Sequence, residues 1–370
     1  MVTYPLNSIS LDEAMQLQFK VIDCITREFP GHEILTRGDL GVVPGLNKPV
    51  TTLKAEKVIA RIFDAEAAML VRGAGTDAIA DALYSVIKAG ETLLVHTSPI
   101  YSTTKLTIDR QGLKTVAADF NNLDDIRRVM AEHPEIKAAL VQYTRQSMTD
   151  SYDMEEVITT IKVCRDIPIV TDDNYAVMKV AKNGSQCGAD LACFSTFKLQ
   201  GPEGIGCIVG KREYIDFLVK LNYSGGSQTQ GHEALEVLRG MVYAPVALAI
   251  QAQVNDRLVQ RLLSGELPGI KDAFLANAQS KVLLVEFEKP IAEQVLVEAE
   301  KLGAAPNPIG AESRYELVPM FYRVSGTFRA TDPTITKRMI RINPMRSGDD
   351  TVIRILKEAM EKVKSCSLAN

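Results

Sequence analysis

The sequence predicts an α/β fold, in which a mostly parallel sheet with helices on both faces is joined to a small C-terminal α+β domain. Three observations carry this prediction. Between residues 51 and 221, helical stretches alternate with short apolar runs, the pattern of strands that are buried on both faces. After a long helical stretch at 231–264 this alternation stops. The length of 370 residues also exceeds what one hydrophobic core usually organises.

The N-terminal segment is predicted to be a helix followed by an irregular loop. Ser10-Leu-Asp-Glu13 has the pattern of a capping box, and apolar residues follow at near-helical spacing as far as Phe29. Pro30-Gly31 should end this helix, which we place at residues 10–29. Residues 32–50 contain five glycines and prolines, which favours a loop.

The central region is predicted to alternate helices with strands. Predicted helices lie near residues 53–63, 76–88, 100–111, 122–132, 153–165 and 211–221. Predicted strands are the apolar runs Thr92–His96, Leu113–Ala117, Ala138–Gln142, Ile167–Thr171, Leu191–Phe194 and Gly206–Val209. Such sheets bind their ligands beyond the carboxyl ends of the strands, so the residues that follow each strand are the candidates for chemistry.

The last part of the chain is predicted to be a smaller unit, with strands near 281–287 and 338–342 and helices near 290–302 and 349–364. We therefore divide the chain into an N-terminal helix and loop, a major domain and a C-terminal domain, at residues 1–50, 51–255 and 256–370.

The composition argues against some partners. The chain has 42 Lys and Arg against 46 Asp and Glu, a formal net charge of −4, whereas binding to a nucleic-acid backbone requires a strong basic footprint. No apolar run approaches the roughly 20 residues of a membrane helix, and the N-terminus does not resemble a secretory signal. We expect a cytoplasmic protein that binds neither nucleic acid nor membrane. Its six scattered cysteines are expected to be buried, reduced thiols.

The first candidate motif is Val71-Arg-Gly-Ala-Gly-Thr76, which opens the predicted helix at 76–88. Small residues before a helix N-terminus let backbone N–H groups approach an anion, and Thr76 adds a hydroxyl group. Gly-x-Gly-Thr also occurs in ordinary turns, and the segment is neither a dinucleotide fingerprint nor a Walker A loop. On its own the segment does not decide between an anion site and a turn.

The second motif places two carboxylates, Asp172 and Asp173, directly after the apolar strand that begins at Ile167. A carboxylate at the end of a buried strand can hold a metal ion or a protonated ring nitrogen. The alternative is that one aspartate caps a turn and the other is solvated.

The third motif is Ser195-Thr-Phe-Lys198, which lies between an apolar strand and a glycine-rich turn that leads into the next strand. A lysine in such a place is expected to lie in a crevice rather than on the open surface. A desolvated amine near other cations has a lowered pKa and becomes nucleophilic towards aldehydes.

Gly75-Thr76, Asp172 and Ser195-x-x-Lys198, in this order, resemble the fold-type-I enzymes that depend on pyridoxal phosphate (PLP). That superfamily includes the class V aminotransferases and the cystathionine and methionine lyases. The resemblance covers most of residues 35–365 and is nearest to the YhfS-type branch and the selenocysteine-synthase-like enzymes. It implies a seven-stranded type of sheet, PLP as the cofactor and an active site formed between two subunits.

The resemblance also implies roles for individual residues. Lys198 would form the Schiff base with PLP and later move protons. Asp172 would keep the pyridinium nitrogen protonated, with Asp173 as the alternative. The phosphate would be bound by Ala74, Gly75, Thr76 and Ser195.

Other residues resemble the family less closely. Tyr101 stands where related lyases stack an aromatic ring on the cofactor, and ordinary helix packing is the alternative. Arg341 resembles the arginine that clamps a substrate carboxylate, for which its planar fork is suited; a structural salt bridge is the alternative. Arg37 or residues 223–230 are expected to reach across a subunit interface. No role is assigned to three further arginines, Arg145, Arg329 and Arg346.

The predicted function is that of a PLP-dependent lyase or transferase that removes the Cα proton of an amino acid or an amino-acid-like substrate. The protein would act as a homodimer or a larger homo-oligomer. An aminotransferase is the runner-up, followed by a regulatory protein that binds PLP without catalysis. The charge balance disfavours an enzyme of aminoacyl-tRNA, and the missing glycine fingerprint disfavours a dinucleotide oxidoreductase.

Overall fold

The computed structural model describes residues 2–276, 281–307, 312–324 and 332–368. The chain forms two compact units. The larger unit contains Ile9–Thr144 and Ser151–Val246, and the smaller unit contains Met1–Ser8, Arg145–Asp150 and Ala247–Asn370.

The larger unit is built on a seven-stranded sheet with the strand order β1-β7-β6-β5-β4-β2-β3. Its strands are β1 Ala67–Arg72, β2 Thr92–His96, β3 Lys114–Ala118, β4 Ile136–Gln142, β5 Ile169–Asp172, β6 Leu191–Ser195 and β7 Ile205–Gly210. Its helices are α1 Leu11–Glu28, α2 Val50–Ile62, α3 Ala74–Val86, α4 Ser102–Arg110, α5 Leu123–Glu132, α6 Met154–Cys164 and α7 Arg212–Leu221. The neighbouring strands from β3 to β6 run parallel, and β7 is antiparallel to both of its neighbours. The predicted α/β fold class is confirmed.

The core of this unit explains why the chain alternates helix and strand. All residues of β5 and β6 are buried. On one face, the apolar side of α3, including Ile79 and Leu83, packs in the same cluster as Leu140, Val170 and Ile208 of the sheet. Uninterrupted apolar strands are therefore required, because helices cover the sheet.

The N-terminal helix begins as the sequence predicts. The Ser10 hydroxyl accepts a hydrogen bond from the Glu13 amide at 3.2 Å, and the Glu13 carboxylate accepts one from the Ser10 amide at 2.7 Å. This reciprocal pair is the predicted capping box, and α1 then ends at Glu28, just before Pro30.

One strand of the larger sheet was not predicted. β1, Ala67–Arg72, pairs with β7 along its whole length. Its sequence, AAMLVR, consists mainly of good helix formers, so pairing with β7 overrides local preference there. β5 also differs from the prediction, since it starts at Ile169 and extends to include Asp172.

The smaller unit contains an antiparallel sheet of four strands in the order β10-β11-β9-β8. Among the described residues its strands are β8 Ile270–Ala276, β9 Val282–Phe287, β10 Met320–Arg323 and β11 Met339–Asn343, and its helices are α9 Ala292–Lys301, α10 Ile335–Arg338 and α11 Asp349–Leu368. The sequence predicted β9 and β11 but not β8 or β10. Helix α8, Gly231–Leu263, contributes residues to both units.

The stretch Gly225–Leu263 is long and apolar enough to cross a membrane, judged by length and composition alone, and 61% of its most apolar window is buried inside the protein. Such burial is typical of a core helix. Among the described residues, Cys24, Cys187, Cys193 and Cys207 are buried free thiols, whereas the free thiol of Cys164 is exposed, contrary to the prediction of buried thiols. The side chain of Cys366 lies outside the described residues.

Candidate active site

The carboxyl end of the larger sheet brings the three motifs together. β5 and β6 are parallel, with Asp172 opposite Cys193, so Asp172 lies beside the end of β6. β7 is antiparallel to β6, and β1 is antiparallel to β7, so β1 ends and β7 begins at the same end of the sheet. There α3 follows β1, and a 3₁₀ turn, Thr196–Leu199, carries Lys198 directly after β6.

Asn174 connects two of these motifs through its side-chain amide. Its Nδ2 donates to Asp172 Oδ1 at 2.8 Å. Its Oδ1 accepts from the Ser195 amide at 3.0 Å and from Lys198 Nζ at 3.0 Å. The aspartate that follows β5 and the lysine that follows β6 therefore share one hydrogen-bonded network.

Asp172 is a buried carboxylate, with 5% of its surface exposed. Burial raises the pKa of Asp172 above its ordinary value, whereas hydrogen bonds from Asn174 and the charge of Lys198 lower it. Its Oδ1 accepts from the backbone amide of Asn174 at 3.0 Å as well as from the side chain. Burial is the largest of these effects, so the pKa of Asp172 stays above its ordinary value, and the network offsets part of that rise.

Lys198 is half-buried and lies over an aromatic ring. Its Nζ is 3.9 Å from the centroid of the Tyr175 ring, and Nζ of Lys179 is 5.7 Å from the same centroid. Tyr175 has φ 68, a left-handed conformation that is unusual for a bulky residue. The turn after β5 therefore directs both the Asn174 amide and the Tyr175 ring towards Lys198.

Asp173 points into a different environment. It is fully buried, and its Oδ2 accepts from the Gly184 amide at 2.7 Å. Burial raises the pKa of Asp173 to about 7, although hydrogen bonds with Thr171 and Gly184 lower it. Asp172 is the last residue of β5 and Asp173 follows the strand, and the two carboxylates have different hydrogen-bond partners.

The residues predicted to form an anion cradle lie at the N-terminus of α3. The amides of Gly73 and Ala74 both donate to the Gly204 carbonyl, at 2.9 and 3.1 Å, so the Ala74 amide is already engaged. The Gly75 and Thr76 amides belong to the first helical turn, whose N–H groups have no acceptor within the helix. These two amides are the ones suited to an anion.

Two further residues of the larger unit that the sequence singles out, Tyr101 and Arg37, are exposed. Tyr101 immediately precedes α4 and is 48% exposed, so it is not simply packed in the core. Arg37 is exposed. The loop around Arg37 contacts the 223–230 segment, because the Gly231 amide donates to the Asp39 carbonyl at 3.0 Å and the Gly41 amide donates to Gln230 Oε1 at 2.7 Å.

The predicted carboxylate clamp belongs to the smaller unit. Arg341 lies on β11, is 9% exposed, and stacks on Tyr322 with 4.2 Å between its guanidinium carbon and the ring centroid. Its Nε donates to the Arg323 carbonyl at 3.1 Å. This contact aligns the guanidinium plane. The substrate-binding role of Arg341 stays a prediction.

Two of the arginines without an assigned role make structural contacts. Arg145 donates from Nη1 to the Tyr4 carbonyl at 2.5 Å. Arg346 donates from Nη1 to Gln251 Oε1 at 3.2 Å. Arg329 lies outside the described residues.

Sequence reasoning did not assign roles to Asn174 or Tyr175. Both follow Asp172 and Asp173 directly in the chain, and the available signal was their position in the loop after a buried strand. No periodic pattern indicates that both point at Lys198.

Residues 50–237 match the model of the aminotransferase class-V family. The chain belongs to the class-V aminotransferase family. Residues 256–356 match the model of the YhfS-like C-terminal domain. The chain is 52% identical over 363 residues to the uncharacterized protein YhfS of Escherichia coli strain K12, across 98% of this chain and 100% of YhfS. The predicted resemblance to this superfamily and its YhfS-type branch is confirmed.

A solved structure of YhfS supports the same family assignment. The structure of the pyridoxal-5'-phosphate-dependent protein YhfS from Escherichia coli has a TM-score of 0.96 and 52% identity, over 98% of this chain and 100% of that one. A carbon-sulfur lyase involved in aluminum resistance from Clostridium novyi has a TM-score of 0.72 at 17% identity, over 95% of this chain and 91% of that one. A cystathionine gamma lyase from Micromonospora echinospora has a TM-score of 0.68 at 17% identity, over 86% and 88%. The two lyases share the fold.

The side chains at the carboxyl end of the sheet fit PLP. The cofactor has a phosphate, a ring nitrogen and an aldehyde, and the site offers a helix N-terminus, a buried carboxylate and an amine. Gly75 leaves no room for a side chain, since a Cβ there would lie 2.5 Å from Asn174 Oδ1. The backbone therefore comes close to the centre of the site, as an anion cradle requires.

Proposed function

We propose that the chain is a PLP-dependent enzyme that removes the Cα proton of an amino acid or an amino-acid-like substrate, as a lyase or transferase. The cofactor is pyridoxal phosphate, in keeping with the family match and the PLP-dependent relative. The observation that carries the proposal is the network in which Asn174 joins buried Asp172 to Lys198. PLP carries its ring nitrogen and its aldehyde on opposite sides of one ring. A carboxylate and an amine at the ends of adjacent strands suit these two groups.

Bound PLP supplies an electron-withdrawing ring that makes the substrate Cα–H acidic. Lys198 would hold the cofactor through its Nζ, and its free amine would be the group that takes the Cα proton and returns it. The ring of Tyr175 holds that amine in place from one side. Proton transfer requires such placement within hydrogen-bond reach of the reacting carbon.

Asp172 is assigned to the ring nitrogen in preference to Asp173. Burial raises the pKa of Asp172, and the hydrogen bonds from Asn174 and the charge of Lys198 offset part of that rise in favour of the ionised form. Asp173 accepts a hydrogen bond from the Gly184 amide instead, and burial raises its pKa to about 7. An ionised carboxylate holds a proton on a ring nitrogen better than a neutral carboxyl group does.

The phosphate is assigned to the first turn of α3 and to Ser195. Gly75 and Thr76 supply amides, and Thr76 also supplies a hydroxyl group. The Ala74 amide donates to the Gly204 carbonyl. We therefore assign Ala74 to the wall of the phosphate site and not to a hydrogen bond with the phosphate. Tyr101 is exposed enough to stack on a ring.

Arg341 is assigned to the substrate carboxylate, because its planar guanidinium is already aligned by Tyr322 and Arg323. We assign the protein to the cytoplasm as a homodimer or larger homo-oligomer, with Arg37 or residues 223–230 at the subunit interface. The match to the class-V aminotransferase family favours aminotransfer as the second candidate reaction.

The first experiment tests the cofactor and its lysine. The purified protein should be yellow, and borohydride reduction should fix PLP on the peptide that contains Lys198. Lys198→Ala should abolish this labelling, whereas replacement of the exposed Lys220 by alanine should not. A protein that binds no added PLP, or one labelled on a different peptide, would refute the proposal.

The second experiment identifies the reaction. An amino-acid panel would be assayed for 2-oxo acid and for released ammonia or thiol. Oxo acid with the aldehyde form of the cofactor retained indicates elimination. Oxo acid with the cofactor left as pyridoxamine phosphate indicates aminotransfer. No response by any amino acid, in a protein that carries PLP on Lys198, would support the non-catalytic regulatory protein.

A further inference from the structure

The Asn174 side chain has one arrangement that satisfies all its neighbours. Two donors, the Ser195 amide and the Lys198 ammonium, face one end of the group, each at 3.0 Å. An acceptor, Asp172 Oδ1, faces the other end at 2.8 Å. Oδ1 must therefore point to Ser195 and Lys198, and Nδ2 must point to Asp172.

A neutral amide suits this position better than a carboxylate of the same shape. Asn174 donates to a negative group and accepts from a positive one without adding charge between them. An aspartate there would place a second oxygen within hydrogen-bonding distance of Asp172 Oδ1, and the two carboxylates would have to share a proton. The residue type is therefore matched to a site that separates an anion from a cation.

The anion cradle packs against the same amide. A Cβ on Gly75 would lie 2.5 Å from Oδ1, 2.6 Å from Nδ2 and 2.9 Å from Cγ of Asn174. Hydrogen bonds to Asp172, Ser195 and Lys198 hold these atoms in place, and the Thr144 hydroxyl donates to the backbone carbonyl of Asn174 at 2.9 Å. The absence of a side chain at Gly75 thus leaves room for the Asn174 amide.

We infer that Asn174 is a positioning residue that sets the ionisation of Asp172 and the place of the Lys198 amine together, and that Gly75 is small in order to admit its amide. This inference rests on the proposed function, because it assigns Asn174 to the machinery that holds PLP. Removing the amide should weaken the attachment of the cofactor at both the ring nitrogen and the lysine.

The test measures PLP binding to protein stripped of its cofactor, by absorbance titration across a pH series. Asn174→Ala should reduce PLP affinity about 10-fold to 100-fold, because it removes hydrogen bonds to two charged groups. Asn307→Ala, a change at an exposed asparagine of the smaller unit, should leave the affinity unchanged. Circular dichroism and thermal melts would check that each variant is folded.

Asn174→Asp gives a signature that a merely structural residue would not produce. Its affinity loss relative to wild type should shrink as the pH falls, because protonation of one carboxyl group relieves the repulsion from Asp172. Besides Asp172 itself, the titratable groups nearby are Lys198, Asp173, the Cys193 thiol, Tyr175 and Lys179, and all five are present in every variant. If Asn174→Ala does not fold, this isosteric variant still tests the inference.

A double substitution tests the link to Gly75. Gly75→Ala should weaken PLP binding strongly in the wild-type background. It should cost little in the Asn174→Ala background, because truncation removes the three atoms that the new Cβ would meet. Equal losses in both backgrounds, or wild-type affinity in Asn174→Ala, would overturn the inference. Failure of the wild-type protein to bind PLP would instead overturn the proposed function.

Discussion

Asp173→Asn tests the electrostatics of the candidate site through the stability of the protein. Burial raises the pKa of Asp173 from its ordinary value of 3.8 to about 7. Over the pH range between these values the folded protein binds more protons than the unfolded chain, so stability is lost as the pH rises through this range. Between about pH 5 and about pH 8, the ionisation of Asp173 should cost about 2–3 kcal/mol of unfolding free energy.

The asparagine variant has no proton to lose at this position. We expect the unfolding free energy of the wild type to fall relative to Asp173→Asn as the pH increases. Chemical denaturation of both proteins, stripped of PLP, at each pH would measure this difference. A constant difference across the range would refute the assignment of a raised pKa.

The same variant separates the two aspartates by function. Asp173→Asn should still bind PLP, whereas Asp172→Asn should lose most of its affinity, since it removes the carboxylate that shares the Asn174 and Lys198 network. The opposite result would move the ring-nitrogen role to Asp173.

Two other predictions concern buried contacts of the larger unit. The side chains of Lys48 and Glu56 form an ion pair at 2.6 Å and are only 3% and 5% exposed. Lys48→Met should lower the unfolding free energy by about 3–5 kcal/mol in chemical denaturation, because it leaves Glu56 without its counter-ion. The matched change Lys20→Met, at an exposed pair, should cost less than about 1 kcal/mol, and an equal loss would contradict the argument. Gly206→Ala would place a Cβ 2.1 Å from the Ala74 carbonyl oxygen and should cost about 1–3 kcal/mol. Gly226→Ala, where the space is open, is its control, and a neutral Gly206→Ala in thermal melts would show that β7 and α3 can separate.

The sequence predicts the location of the site because that location follows from topology. Buried parallel strands end on the same side of a sheet, so Asp172 and Lys198 were expected near each other once the apolar runs before them were recognised. The structure places them there, at the ends of adjacent strands β5 and β6. The place of the candidate anion cradle, at the start of α3, follows for the same reason, although only the structure reveals that the Ala74 amide donates to the Gly204 carbonyl.

Other features depend on pairing that no local pattern encodes. β1 is composed of helix formers and is a strand because β7 supplies its partner. The strands β8 and β10 likewise form by pairing with β9 and β11. Local propensity predicts an element only where its own side chains decide its conformation.

The turn after β5 shows most directly why sequence alone could not complete the site. A tyrosine in the left-handed region costs on the order of 1–3 kcal/mol, so propensity argues against the conformation that Tyr175 adopts, with φ 68. The conformation is sustained by contacts from elsewhere in the chain. Nζ of Lys198 lies 3.9 Å from its ring centroid, and such a contact is worth about 0.5–2 kcal/mol. The hydrogen bonds from Ser195 and Lys198 to Asn174 stabilise the turn further. The residues that stabilise this turn are therefore the ones on which the proposed chemistry depends.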